Sequence, residues 1–220
     1  MLVTYEDIRN DESIKCYITE ADKALSALGY TEHSFPHVVK AAMMAEMILL
    51  TLNYPKRTAE LAKIAGYMHD IGNIVNRIDH AQSGAVMAFR LLDRMGMDPA
   101  EIAMVISAIG NHDEGTAVAV NPIAAALILA DKTDVRRTRV RNRDKATFDI
   151  HDRVNYAVEK ASTTLDAAGK AVVLDLQLDT GMSPVIDYFE IFLERMLLCR
   201  KAAEKLGLSF RLVVNGQTVL

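Results

Sequence analysis

Apolar residues recur at intervals of three and four over most of the chain, a spacing that predicts a mainly α-helical fold. Helices are predicted over residues 12–28, 34–52, 58–68, 80–95 and 98–110. Glycine, proline or a capping residue stands at a boundary of each segment, as expected where a helix must begin or end. The pattern therefore predicts a bundle of helices joined by short loops.

In the second half of the chain, the spacing of apolar residues changes from a helical to a strand pattern. Two further helices are predicted over residues 123–137 and 149–165. Strict alternation of apolar and polar residues then predicts a half-buried strand over 172–178. A long helix is predicted over 184–206, and an Asn-Gly turn predicts a hairpin within 210–220. The chain is therefore expected to end in a small unit of a strand, a helix and a hairpin.

The length of 220 residues suits one full-sized domain with a small appendage. We expect a helical domain over residues 1–165 and a small α+β extension over 166–220. The strands of the extension are too few for a free-standing sheet. We therefore expect it to pack on the helical domain or on a partner subunit, which would give a homodimer.

Composition limits the binding partners and the cellular compartment that we expect for this protein. The net charge of −4 and the pI near 5.9 argue against general binding of nucleic acid. Cys16 and Cys199 lie far apart and form no CxxC pair, which favours a reducing, cytoplasmic setting. The chain shows no signal-peptide pattern, and no apolar run approaches the roughly 18 residues of a spanning helix. We expect a soluble protein that is neither exported nor bound to a membrane.

A His-Asp pair, His69 and Asp70, follows the helix predicted over residues 58–68. Gly72 is predicted to end this helix in the left-handed conformation, which would put the pair on its last turn. An imidazole beside a carboxylate suits a divalent Zn, Fe, Mn or Ni ion better than Ca or Mg, which prefer oxygen ligands. Two residues cannot complete a coordination shell, so further ligands must come from elsewhere in the chain.

Three further histidines stand near predicted helix ends, and one aspartate lies on an apolar helix face. His37 falls in the first turn of its helix, His80 in the first turn of another, and His112 at the end of a third. Asp131 shares a stripe with apolar residues, where an unpaired carboxylate is costly and binds a cation or a proton. His33 precedes His37 by four residues, but the intervening proline interrupts the helix, so His33 is only an optional ligand.

The order of these residues, His, then His-Asp, then Asp, resembles the HD-domain superfamily of metal-dependent phosphohydrolases. The resemblance covers residues 33 to about 137. It implies a helical bundle that binds one or two divalent metal ions. The first ion would be held by four ligands, His37, His69, Asp70 and Asp131. The second would share the carboxylate of the His-Asp pair, and its additional ligands would be His80 and His112.

Two departures from the family bear on the substrate. Close relatives that cleave cyclic dinucleotides often have Lys after His-Asp-x-Gly, where this chain has Asn73. The Gly-Tyr-Pro motif of those relatives is also missing after residues 111–114. The resemblance therefore implies hydrolysis of a phosphomonoester or phosphodiester in some other nucleotide-like metabolite.

Candidate catalytic residues are among these ligands or next to them. Asp70 would hold two ions around a shared water, which lowers the pKa of that water and places it for attack on phosphorus. Lys132 follows the ligand Asp131 and is a candidate for neutralising phosphoryl oxygens. Asp113, or its neighbour Glu114, is a candidate for orienting water or moving a proton.

The segment 132–145 carries seven positive and two negative charges. Such a segment is usually a solvated, salt-bridged helix end and loop. Its position directly after Asp131 favours a second interpretation, in which some of its cations bind an anionic ligand. We expect phosphate of a small-molecule substrate to contact Lys132, Arg136 and Arg137.

Two other functions fit the same ligand order. Di-iron oxygenases of the same superfamily resemble it equally well, and only the basic segment favours phosphate over their substrates. A non-catalytic sensor or assembly module could also retain a metal ion as a structural clamp. Six ligands shared between two ions would leave open coordination positions, which favours catalysis.

Overall fold

The computed structural model describes residues 2–166, 168 and 170–220. Its first part is a bundle of helices in which each helix predicted before residue 111 is present. In chain order the helices are α1 (Tyr5–Asn10), α2 (Glu12–Ala27), α3 (Phe35–Thr51), α4 (Lys56–Met68), α5 (His80–Arg94), α6 (Pro99–Gly110) and α7 (Pro122–Lys132). The predicted mainly helical fold is confirmed.

Helix α7 is the central helix of the bundle. Every residue from Ile123 to Lys132 is buried, as expected for a helix that is apolar on all sides. It packs against α3, α4 and α6. It ends earlier than the predicted position near residue 137 because Thr133 donates its hydroxyl to the Leu129 carbonyl and Asp134 turns inward. Of the segment 132–145, only Lys132 therefore lies on the helix.

Gly72 plays a different role from the one predicted. Helix α4 ends just before the His-Asp pair, and a short 3-10 helix over Ile71–Ile74 follows. Gly72 does not adopt a left-handed conformation, so that prediction is wrong. A Cβ atom there would lie 2.0 Å from the His80 carbonyl oxygen and 2.4 Å from the Gly84 nitrogen. The glycine is required because α5 starts directly against this turn, which brings His80 beside the His-Asp pair.

After α7, the structure contains a shorter helix than predicted and one additional strand. The helix predicted over 149–165 is wrong in its second half, since α8 covers Ile150–Ala157 and β1 covers Val158–Asp166. The alternating burial along β1 shows why, because its residues fit a half-buried strand once β2 lies beside it. The remaining elements are β2 (Ala171–Leu178), α9 (Val185–Lys205), β3 (Ser209–Val214) and β4 (Gln217–Thr218).

The four strands form one sheet in the order β1-β2-β3-β4. The β2–β3 pair is parallel and the two outer pairs are antiparallel. Helix α9 packs against both this sheet and α7, so buried residues of the extension and the bundle form one hydrophobic cluster. Across the described residues, no helix has the length and apolar character that crossing a bilayer requires.

Candidate metal centre

The six candidate ligands converge in the interior of the bundle. All four histidines are buried, and the two aspartates are nearly so. Within the described residues, three groups have ligand atoms within 4.8 Å of one another, and they are His37-His69-Asp70, His69-His112-Asp131 and Asp70-His80-His112. The groups share members, so they form one continuous cluster.

Backbone carbonyls fix the orientation of three of the histidines. The Nδ1 atoms of His69, His80 and His112 lie 2.8, 3.0 and 2.6 Å from the carbonyl oxygen of the residue three positions earlier. A carbonyl only accepts, so each Nδ1 carries the proton and donates it. Each Nε2 therefore presents a lone pair to the cluster, as a metal-binding histidine does.

His37 is oriented by a side chain instead. Its Nδ1 lies 2.9 Å from Asp134 Oδ2, and the other Asp134 oxygen accepts from Lys40 at 2.6 Å and from Arg136 at 2.8 Å. Burial raises the pKa of Asp134, but the hydrogen bond from His37 and the nearby Arg139 outweigh it and hold the pKa well below its usual range. Asp134 is thus an anion that orients a ligand, a role that sequence reasoning missed.

The spacing of the Nε2 atoms suits a bound cation. His37 Nε2 lies 3.3 Å from His69 Nε2, and His80 Nε2 lies 3.2 Å from His112 Nε2. Two nitrogens bound to one ion at about 2.1 Å are separated by roughly 3.0–3.4 Å when they subtend 90–110°. Facing lone pairs repel each other unless a positive charge lies between them. Each histidine pair could therefore hold a divalent ion.

Asp70 lies between the two histidine pairs. Its Oδ2 is 3.2 Å from His69 Nε2 and 3.5 Å from His37 Nε2, whereas its Oδ1 is 3.7 Å from His80 Nε2. Oδ2 is buried and accepts no hydrogen bond within the described residues. Asn73 donates to Oδ1 at 2.9 Å and so fixes the plane of the carboxylate. Each oxygen can therefore bind a different ion.

The carboxylates make the cluster attractive to positive charge. Burial lowers the pKa of His69, but Asp70 and Asp131 outweigh burial and raise it to about 10. Burial, and secondarily the charge of His69, lowers the pKa of His112 well below its usual value. The two aspartates thus favour a positive charge at His69, whereas His112 is held neutral, which is the state in which a histidine binds a metal ion.

Lys132 is buried next to the cluster. Its Nζ lies 2.8 Å from Asp131 Oδ2 and 3.3 Å from Glu114 Oε2. Burial lowers the pKa of Lys132, but these two carboxylates outweigh burial and raise it, so the amine stays protonated. Asp113 is more exposed and lies 3.9 Å from His80 Nε2 and 3.8 Å from Arg77.

The remaining candidates have other contacts. Arg136 binds Asp134, and Arg137 donates to the Tyr156 carbonyl and stacks on the Tyr156 ring. Neither arginine lines the cavity described below. His33 does line it, but its Nδ1 is bound to the Thr31 carbonyl at 2.7 Å and it belongs to none of the ligand groups found in the described residues.

A cavity of about 420 Å³ opens onto the ligand cluster. Asp70, His80, His112 and Asp131 form part of its wall. Further wall residues come from the loop after α2, the loop before α5, the chain after α7, and helices α8 and α9. Those with polar or aromatic character include Tyr30, Arg77, Arg139, Asp152, Phe192 and Arg195. Of these six, sequence reasoning includes only Arg139, as one of the cations of the segment 132–145, whereas Phe192 and Arg195 lie far from the ligand motifs along the chain.

The model of the HD domain family matches residues 34–157. This segment is more than half of the 220-residue chain and contains all six candidate ligands. It ends with α8, so the sheet and α9 lie outside it. Comparison with curated proteins gives no match. The match over these residues, together with the buried His/Asp cluster, shows that the chain belongs to the HD domain family, within the superfamily of metal-dependent phosphohydrolases.

Proposed function

We propose that this protein is a metal-dependent phosphohydrolase that cleaves a phosphomonoester or phosphodiester of a nucleotide-like metabolite. The observation that carries the proposal is the placement of Asp70 between two facing imidazole pairs at the wall of a cavity. Divalent ions bound there supply Lewis-acid activation of water and neutralise charge on phosphoryl oxygens. Mn, Fe, Ni or Zn suits this mixed nitrogen and oxygen ligand set better than Mg or Ca.

The chain's own residues support the same reaction. Asp70 is held in one orientation by Asn73, so its carboxylate needs no rearrangement when substrate binds. Lys132 provides a fixed positive charge beside Asp131, where it can stabilise a phosphoryl oxygen in a largely water-excluded site. Asp113, close to His80 and partly exposed, is our candidate for moving a proton between the reacting water and solvent.

The cavity favours an anionic substrate of modest size. Its volume of about 420 Å³ falls in the range of small-molecule sites. Lys132, Arg77, Arg139 and Arg195 line it. We therefore assign the phosphate contact to Lys132 and to cations of the cavity wall, rather than to Arg136 and Arg137, whose guanidinium groups contact Asp134 and Tyr156.

The test is phosphate release under strictly anaerobic conditions. Purified protein is reconstituted with Mn²⁺ and incubated with nucleoside monophosphates, diphosphates and cyclic phosphodiesters. We expect release from at least one nucleotide-like ester, and a loss on the order of 10²-fold or more in Lys132→Met with metal content retained. Asp93→Ala, an exposed aspartate on α5, is the control.

The same experiment separates the other two functions. An oxygenase must change the oxidation state of its metal to use dioxygen, whereas a hydrolase needs only a Lewis acid. Turnover that requires iron and consumes oxygen would replace the hydrolase by the oxygenase. Full metal occupancy without turnover of any ester in the panel would instead favour a structural clamp.

A further inference from the structure

Helix α9 brings one arginine into the wall of the metal-site cavity. Arg195 lies outside the segment matched by the family model, in the extension that follows it. Its side chain lines the cavity together with His112, Asp131 and Lys132. The extension is therefore part of the site, and not only a packing element as its sequence suggests.

Glu114 holds Arg195 in place. Arg195 Nε donates to Glu114 Oε1 at 2.7 Å, and Lys132 Nζ donates to Glu114 Oε2 at 3.3 Å. One carboxylate thus links the lysine beside Asp131 to the arginine of the extension.

A metal ion bound at Asp131 would leave this arrangement with an excess of positive charge. Asp131 and Glu114 provide two negative charges, but Asp131 is also a candidate metal ligand. Lys132 and Arg195 provide two positive charges that share Glu114. Once Asp131 binds a metal ion, the lysine and the arginine have one carboxylate between them. The excess positive charge can be satisfied by an anion that enters the cavity.

The guanidinium group of Arg195 is free to bind that anion. Within the part of the chain that the structure describes, its hydrogen bond is made by Nε alone, and its terminal nitrogens have no protein partner. The Phe192 ring lies under the guanidinium, 4.5 Å from its central carbon, and fixes its plane. A planar guanidinium held in this way presents two parallel donors, which is the geometry that binds two oxygens of one phosphate.

We propose that Arg195 binds a phosphate group of the substrate, and that Glu114 is the residue that positions it. The proposal rests on the function proposed above and names a residue of the extension as part of the substrate site. The competing interpretation is a structural salt bridge that only ties α9 to the loop after α6. A structural bridge would affect stability and leave the affinity for phosphate unchanged.

Inorganic phosphate is the probe, and its affinity for the metal-reconstituted protein is measured by titration calorimetry. We expect Arg195→Gln to weaken phosphate binding about 10- to 100-fold, the effect of losing hydrogen bonds to a charged group, while metal content stays the same. Arg195→Lys keeps the positive charge but lacks the planar donor pair, so its affinity for phosphate should lie between those of the unaltered protein and Arg195→Gln. Arg200→Gln makes the same change at an exposed position of α9 and should leave the affinity as it is.

The outcomes separate this inference from the proposed function. Phosphate affinity that is unchanged in Arg195→Gln, or absent in the unaltered protein, would overturn the inference. Loss of bound metal in Arg195→Gln would also overturn it, because Arg195 would then act on the metal centre. If no ester is hydrolysed but phosphate still binds and depends on Arg195, the site stands and the hydrolase assignment fails.

Glu114→Gln provides the test of positioning. The amide keeps an acceptor for Arg195 but removes the charge that Lys132 and Arg195 share. An arginine held only by a neutral amide would be positioned less firmly, so we expect KM for a hydrolysed ester to change more than kcat. Combining it with Arg195→Gln should give no additional loss of phosphate affinity if Glu114 acts through Arg195. Fully additive losses would remove Glu114 from this role.

Discussion

The ligand cluster and the cavity wall contributed by α8 and α9 differ in how their side chains are positioned. In the cluster, three histidines are fixed by the carbonyl three residues earlier, which is a contact within a single turn of chain. In the wall, Arg195 is fixed by Glu114, which lies 81 residues earlier in the sequence. The cluster is therefore specified mainly by local sequence, and the wall by tertiary packing.

This difference separates the tasks of the two regions. A metal centre needs ligand atoms in a fixed arrangement; contacts within one turn fix the orientation of three of the rings, and the packing of the bundle helices brings the rings together. Recognition of a particular substrate can change when helices that form the wall change, without moving the ligands. The family match ends with α8, so the region that we assign to substrate binding extends beyond the segment shared with the family.

The largest effect is expected from Asp70→Ala. The two oxygens of Asp70 lie near different histidine pairs, so its loss should remove bound metal from both and lower the rate on the order of 10³-fold or more. His112→Ala should remove one equivalent and leave the ion near His37. Elemental analysis of the purified variants measures both. Full metal occupancy in Asp70→Ala would show that the carboxylate does not bridge.

The next largest effect is expected from Gly72→Ala, as a loss of stability. Its Cβ would lie 2.0 Å from the His80 carbonyl oxygen, so the start of α5 must move. We expect a loss of about 3 kcal/mol in the free energy of unfolding, with weaker binding of the metal held by His80. Gly115→Ala is the matched control, since its Cβ would meet no atom within 4 Å. Equal stability of the two variants would contradict the close approach of α5.

The sequence predicted the helices and the ligand set because both depend on short-range signals. His37, His69, His80 and His112 stand at or near helix ends, and Asp131 stands out as a carboxylate on an apolar helix. β1 was predicted as a helix because its residues are compatible with either period, and pairing with β2 decides between them. The strand could be found only from its partner.

Arg195 and Asp134 show the same limit for the site. Arg195 is one of several charged residues on an amphipathic helix, and nothing in its neighbourhood along the chain distinguishes it from Arg200. Asp134 was counted as a negative charge in a basic segment, although it is buried and binds His37. Arg136 was expected at the phosphate but contacts Asp134. The partners of Arg195 and Asp134, which are Glu114 and His37, lie in distant parts of the chain.

Asp134→Asn tests the exception within the ligand cluster, since His37 is the one of the four histidines whose Nδ1 depends on a distant side chain. An amide keeps the approximate shape but holds the His37 ring less strongly and leaves Lys40 and Arg136 with less negative charge. We expect metal affinity to fall about 10- to 100-fold. Competition with a chelator measures it. Unchanged affinity would mean that packing alone orients His37.

The smallest effect is expected from Asn215→Ala, in the hairpin of the extension. Asn215 has a φ of 50° and is followed by Gly216 at 80°, the backbone conformation that a tight hairpin turn requires. Its side chain also accepts from the Leu178 nitrogen at 2.8 Å and donates to the Leu178 carbonyl at 3.1 Å. Alanine loses both hydrogen bonds and tolerates this φ poorly, so we expect a loss of about 1–2 kcal/mol in the free energy of unfolding.

The matched variant Asn215→Gly keeps the backbone conformation and removes only the side-chain bonds, so the difference between the two gives the cost of the backbone conformation. Chemical denaturation measures both. Because Asn215 does not line the cavity, metal stoichiometry and phosphate affinity should stay the same in each. Loss of metal from either variant would show that the ligand cluster depends on the sheet, and the contrast between a locally specified centre and a wall specified by packing would then not hold.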